Sequence, residues 1–208
     1  MSTQFLDIVL LLDTSTSMLA TTHANRTRLA AMQDAADSFV ARVELTGAAG
    51  VGNRVSIVAF NGQAWTMLSL SSDREQIADA IRALHSTVAE GTRLDLGLDE
   101  SRRVIGGARG TRVVVVVTDG LPNQVPTPIP SGSQEDTVLA SARLLHASDA
   151  LVFAVGIGGA SDRGAMGESN PGLLRQVAGD PEYYMTVDSA EELAPLLNRL
   201  WLSIQCGP

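Results

Sequence analysis

Asp7-Ile8-Val9-Leu10-Leu11-Leu12 runs directly into Asp13-Thr14-Ser15-Thr16-Ser17, joining a strand-length apolar segment to a cluster of small oxygen-bearing side chains. Ile8 to Leu12 has no polar break, the pattern of a strand covered on both faces, as strands of parallel sheets are. Asp13, Ser15 and Ser17 then place one carboxylate and two hydroxyls at alternate positions at the mouth of that strand. Hard oxygen donors grouped in this way suit a divalent cation.

The rest of the chain supplies partners for such a strand. Val113 to Val117 and Leu151 to Ile157 are also apolar throughout or nearly so, and with the first run they are expected to form the centre of a sheet. Arg54 to Phe60 reads as a further strand. Trp65 to Leu70 follows it after the turn-like Asn61-Gly62-Gln63, which predicts a hairpin with an antiparallel edge strand. Tyr183 to Val187 is the last and weakest strand. Between these runs the apolar residues change to helical spacing: Leu29, Met32, Ala36, Phe39, Val40 and Val43 in the first helix, Leu193, Leu196, Leu197, Leu200, Trp201 and Ile204 in the last. Asp73 is placed to cap a helix carrying Ile77, Ile81 and Leu84. Ser133-Gln134-Glu135-Asp136 opens another that carries Val138, Leu139, Ala142 and Leu145, and a shorter one begins near Pro171. This alternation predicts an α/β fold: a central, mostly parallel six-stranded sheet with one antiparallel edge strand and helices on both faces. No repeat or linker interrupts it, so residues 1–208 are read as one domain, either whole or as a module of a longer protein.

Composition narrows the function. The chain has 208 residues, 45% of them hydrophobic, with 15 basic against 23 acidic side chains and a net charge of -8. That balance disfavours nucleic-acid phosphates and anionic membranes as partners and favours cations and basic groups. Every basic residue is Arg, so chemistry that needs a Lys amine is excluded. Cys206 is the one cysteine, which rules out an internal disulfide or a thiolate metal site. The apolar runs are too short for a signal peptide or membrane span. The expectation is a soluble protein, monomeric by default, cytoplasmic if complete and extracellular or cell-surface if excised from a longer chain.

In an open parallel sheet, ligands bind beyond the carboxyl ends of the strands, where neighbouring connections leave on opposite faces. Asp13 ends the first strand, and Asp119 ends the Val113 to Val117 strand within Val117-Thr118-Asp119-Gly120. If those strands are neighbours, both carboxylates reach one crevice, with Ser15 and Ser17 beside them.

Asp13-x-Ser15-x-Ser17, then Gly91-Thr92, then Thr118-Asp119-Gly120 resemble, in order and spacing, the metal-ion-dependent adhesion site of von Willebrand factor type A domains. The resemblance extends over nearly the whole chain and includes the hairpin before the threonine loop. It implies a three-layer, Rossmann-like fold and an adhesion-type, protein-binding role. It also implies a divalent cation, Mg²⁺ before Mn²⁺ or Ca²⁺, held by Ser15, Ser17 and Thr92, with Asp13 and Asp119 contributing directly or through waters. In the family, an acidic residue of a protein partner fills the remaining position. Hydroxyl ligands leave such an ion electrophilic, and Mg²⁺ keeps several exchangeable waters. Thr16 and Glu90 stand where many relatives have glycine. Neither change removes a ligand, but Glu90 would add a carboxylate near the ion. His23, Arg26, Glu90, Arg93, Pro122 and Asn123 are candidates for a partner-binding rim, along with the Pro-rich Leu121 to Ser133 loop and the Gly-rich Gly158 to Asn170 loop. Relatives couple ligand binding to displacement of the last helix, which makes Ala190 to Ile204 a candidate mobile element.

Competing readings are weaker. Ser15 and Ser17 could simply cap a turn, and Asp119-Gly120 could be an ordinary strand end. A haloacid-dehalogenase-type hydrolase would need a second Asp where Ser15 stands, and a Lys. A Walker nucleotide loop needs a Lys as well. His23, His85 and His146 share no ligand-like spacing, and no Ser–His or Cys–His pair lies near the crevice, so no enzymatic activity is expected. Met18, Trp65 and Trp201 are read as packing residues. A structural or assembly module, with the metal ordering the loops, is the remaining alternative.

Overall fold

The computed structural model describes residues 5–45, 52–120, 133–158 and 170–206. In chain order the elements are β1 (Leu6–Asp13), α1 (Arg28–Arg42), β2 (Arg54–Phe60), β3 (Ala64–Ser71), α2 (Arg74–Ala83), α3 (Leu94–Ile105), β4 (Thr111–Thr118), α4 (Gln134–His146), β5 (Ala150–Ile157), α5 (Pro171–Ala178), β6 (Tyr184–Val187) and α6 (Leu193–Cys206). The six strands form one sheet in the order β3-β2-β1-β4-β5-β6. Every pairing is parallel except that of β2 with β3, an antiparallel hairpin whose register shifts between Val55 and Val58.

β1 shows why the central runs carry no alternation. Its Ile8, Leu10 and Leu12 point into one core with α1, α2 and α6, while Val9 and Leu11 point into a second core with α3, α4 and α5. All five are at most 1% exposed, and burying a side chain of this size is worth about 1.5–3 kcal/mol. On the first face, Phe39 of α1 meets Trp201 of α6 edge to face at 5.9 Å. Met18 is fully buried and Trp65 packs against the same core, as their packing role requires.

The helix starts follow the capping chemistry expected for them. Asp73 accepts from the amides of Glu75 and Gln76, Ser133 and Asp136 form a reciprocal capping box, and Asn170 caps the helix that begins at Pro171. α3 is a helix not named from the sequence; its buried face carries Leu94, Leu98 and Ile105 together with Asp95, Gly97 and Ser101. Gly97 is there for contact: a Cβ would lie 2.9 Å from Leu11 Cδ1 and 3.2 Å from Phe60 Cγ. The helix therefore rides closer to the sheet than an alanine would allow. Among the described residues no helix is long and apolar enough to cross a membrane.

β1 connects onward to β2 on one side of itself and pairs with β4 on the other. The switch point thus lies between the carboxyl ends of β1 and β4, where Asp13 and Thr118-Asp119 emerge.

Candidate metal centre

Three loops meet at this switch point, and backbone hydrogen bonds fix their relative height. The Thr14 amide donates to Phe60 O at 2.7 Å, tying the end of β1 to the end of β2. Ser15 forms a one-residue parallel bridge with Ala89, and the Ala89 amide donates to Thr14 O at 3.2 Å. From Thr16 the chain turns through a short 3-10 helix, Thr16–Leu19. Gly91 then bends the second loop at φ +96°, a region open to glycine and costly for other residues. Thr92 follows, 3% exposed.

Asn61, 2% exposed, is the hub beneath these loops. Its side-chain amide donates to Thr87 O at 2.7 Å and to Thr14 Oγ1 at 3.3 Å, while its Oδ1 accepts from the Gln63 amide at 3.1 Å. Its carbonyl accepts from the Arg93 amide at 2.6 Å. The third loop closes against the second at Gly120, where a Cβ would sit 3.3 Å from Thr92 Oγ1 and 3.9 Å from Asp13 Oδ2.

Ser15, Ser17, Asp13 and Asp119 are joined in one network. The Ser17 hydroxyl donates to Asp119 Oδ1 at 2.6 Å, so in the 2.9 Å contact between the two serine oxygens Ser15 is the donor. Asp13 Oδ1 accepts from the Ser15 amide at 2.8 Å, and Oδ2 accepts from the Thr118 hydroxyl at 2.5 Å. Arg28 Nη1 donates to Asp119 Oδ2 at 2.7 Å. Asp13 and Asp119 are 0% and 1% exposed. Burial, and after it the nearby Asp119 charge, push the Asp13 carboxyl up to about 7, against the opposing pull of its Ser15 and Thr118 hydrogen bonds.

This set fits a hard divalent cation. Two carboxylates and three hydroxyls converge, all oxygen donors. Among the described residues no group of three or more His, Cys, Asp or Glu side chains is placed to hold a metal. Among the described residues, two buried carboxylates are faced by the Arg28 guanidinium, and a cation would offset the charge of these ionised carboxylates further.

The rim candidates separate. His23, Arg26 and Glu90 are exposed, with Arg26 engaged by Asp34 at 2.5 Å on the surface. Arg93 is a correction: it is 9% exposed, and its fork closes on Asp95 through contacts of 2.7 and 2.6 Å, so it props the start of α3 instead of facing a partner. Pro122 and Asn123 lie outside the described residues, as do most of the Pro-rich and Gly-rich loops that contain positions 121–132 and 159–169. Thr22, just beyond the serine turn, hydrogen-bonds Glu191 ahead of α6. Arg28 and Asn61 hold the candidate site together and were not read from the sequence as part of it, and Thr118, quoted there only beside Asp119, proves to donate to Asp13. Arg28 did leave a signal, since it is in helical phase with Met32, Ala35 and Phe39 on the buried face.

Comparison with known proteins shows the family and the fold. The family model described as von Willebrand factor type A domain matches residues 8–121, over half of the chain, and the chain belongs to that family. A search of curated proteins returns no match. Among solved structures, the von Willebrand factor domain of the type V pili tip protein Mfa5 from Porphyromonas gingivalis superimposes with a TM-score of 0.79 at 15% identity, covering 100% of this chain and 97% of that one. Proximal thread matrix protein 1 from the mussel byssus, with a zinc-occupied metal-ion-dependent adhesion site, gives 0.77 at 23% identity and covers 98% and 48%. The pilus adhesin SpaC from Lactobacillus rhamnosus GG gives 0.78 at 18%, covering 97% and 31%. The chain thus spans about half of the mussel protein and about a third of SpaC, and at these identities the likeness establishes the fold.

Proposed function

We propose that this domain holds a divalent cation at the β1–β4 switch point and uses it to bind an acidic side chain of a protein partner, as an adhesion-type module. The observation that carries the reading is the pair of buried carboxylates, Asp13 and Asp119, faced by one guanidinium and bordered by inward-turned hydroxyls. Ser15, Ser17 and Thr92 would hold the ion, with Asp13 and Asp119 behind them. Mg²⁺ is the first choice because every donor is oxygen and the protein shell is incomplete. When bound, the cation supplies an electrophilic position that a partner carboxylate can take.

The protein's own residues prepare that position. The Ser15 amide and Thr118 hydroxyl fix Asp13, the Arg28 guanidinium fixes Asp119, and Asn61 holds the loop that presents Thr92. No group in this network is placed as a nucleophile with an adjacent general base, so we assign it binding and not turnover. The zinc-occupied adhesion site of the mussel protein and the pilus context of SpaC and Mfa5 support the reading by analogy.

Isothermal titration with Mg²⁺ or Mn²⁺ tests it. Wild type is expected to bind with a stoichiometry of about one ion, and Asp13→Ala and Thr92→Ala are expected to lose that binding. Wild type giving no more heat than the variants would contradict the proposal, and Mg²⁺-dependent phosphatase turnover abolished by Asp13→Asn would replace it with an enzymatic one.

A further inference from the structure

Arg28 is 1% exposed and heads the fully buried side chains by size. An arginine is tolerated there only with strong pairing, because a buried charge is costly to desolvate. Its Nη1 lies 2.7 Å from Asp119 Oδ2, and Asp119 is itself fully buried in this ion pair. The other oxygen of Asp119, Oδ1, accepts from Ser17. Asp119 is thus divided: one oxygen belongs to a resident cation of the protein, the other faces the serine hydroxyls. Nothing in the adhesion-site motif accounts for Arg28, which comes from α1 and not from any of the three loops.

We infer that Arg28 is a positioning residue and resident counter-cation of the site, one that lowers its affinity for a divalent ion and leaves the loaded site with net positive charge toward an anionic partner. The inference rests on the metal-binding reading given above. With both carboxyls ionised, Asp13, Asp119 and Arg28, taken among the described residues, sum to one negative charge, so a divalent ion brings these groups to plus one. Without Arg28 the same centre would be neutral. That difference matters in a chain of net charge -8, which by itself repels an acidic partner. The cost is affinity, because a guanidinium on one oxygen of Asp119 repels an ion drawn to the other, and like charges at such range interact strongly when buried. The arrangement exchanges tight metal binding for a more electrophilic ion.

The test is Mn²⁺ titration of wild type, Arg28→Met and Arg28→Lys. Removing the charge with Met, which retains length and apolar bulk, is expected to tighten Mn²⁺ binding about tenfold or more, whereas Lys, which restores the charge, is expected to stay within about threefold of wild type. A merely structural Arg28 would give the opposite order for Met, with unchanged or weaker binding, and that result overturns the inference. If Arg28→Met is unfolded without metal by circular dichroism, Mn²⁺ should refold it by supplying the missing positive charge, and failure to refold in millimolar Mn²⁺ also overturns the inference. Wild type that binds no Mn²⁺ at all contradicts the metal-binding reading itself. Wild type that binds while Arg28→Met matches it contradicts the role of Arg28 alone.

Discussion

β1 carries an aspartate at each end of its apolar run, and the two are treated in opposite ways. Asp7 and Asp13 are equally hidden, at 2% and 0% exposure. Asp7 accepts from Arg54 Nε at 2.7 Å and Nη2 at 2.8 Å, and from the amides of Arg109 at 2.6 Å and Gly110 at 3.0 Å. Burial alone would raise its pKa, but the Arg54 fork, the two amides and the Arg54 charge together outweigh burial and hold it below the ordinary carboxylate value. Asp13 accepts from one amide and one hydroxyl and faces Asp119, and burial followed by that charge pushes it up to about 7. A carboxylate whose partners are complete clamps the sheet. One left short of positive charge at the same depth is where the proposed cation would bind.

The sharpest way to break this comparison is to remove both aspartates in turn. Asp7→Ala strands Arg54 and two amides, and is expected to cost about 3–5 kcal/mol of stability in urea denaturation, with or without metal. Asp13→Asn is expected to cost the metal-free domain much less. It should, however, abolish the stabilisation that saturating Mg²⁺ or Mn²⁺ confers on wild type, about 2.7 kcal/mol at a hundredfold excess over Kd. Equal losses at the two ends, or a metal-induced thermal shift that survives in Asp13→Asn, would erase the distinction.

Acidity separates the ends by sign. The folded pKa of Asp13 lies above the ordinary value near 3.9, so the metal-free domain binds a proton there more readily than the unfolded chain does. It therefore loses stability as pH rises from about 4 to 7. The ion competes with that proton, so the metal-induced rise in Tm should be larger at pH 8 than at pH 5.5. Asp7 works the other way: its contribution is full above the ordinary value and is lost only as pH falls through its lower folded pKa. A metal shift independent of pH would remove Asp13 from the binding site.

A smaller effect is expected midway along the strand, where Gly97 of α3 touches Leu11. Gly97→Ala overpacks this contact at a cost of about 1–3 kcal/mol, partly offset by about 1 kcal/mol of helix propensity. A net destabilisation near 1 kcal/mol in thermal or urea unfolding is the outcome that fits. A stabilised variant would show that α3 is not held against the sheet.

These same residues show what could be read before the structure. The strands stood out because a buried parallel strand has nearly unbroken apolar sequence, as Ile8 to Leu12 and Val113 to Val117 do. Asp13, Ser15, Ser17 and Asp119 were legible because they end or follow strands in a local pattern, whereas Thr92, between α2 and α3, was legible only through the resemblance to the family motif. α3 was missed although Leu94, Leu98 and Ile105 recur on its buried face, and polar Asp95 and Ser101 share that face with Gly97. Asn61 looked like a turn residue, and its hydrogen bonds to Thr14, Thr87 and Arg93, on three other segments, exist only in three dimensions. Arg93 followed Thr92 closely enough to suggest a rim cation, but Asp95, two residues on, takes its fork inward. Arg28 lay in phase with the buried face of α1, a misplaced charge whose partner, Asp119, is 91 residues away.

The most direct test of the central claim is a crystal structure with Mn²⁺, read by anomalous scattering. A single strong peak within coordination distance, about 2.2 Å, of the Ser15 and Ser17 hydroxyls and close to Thr92 is the predicted result. No peak there at saturating Mn²⁺, with Asp13 and Asp119 still bridged only by protein groups, would contradict it.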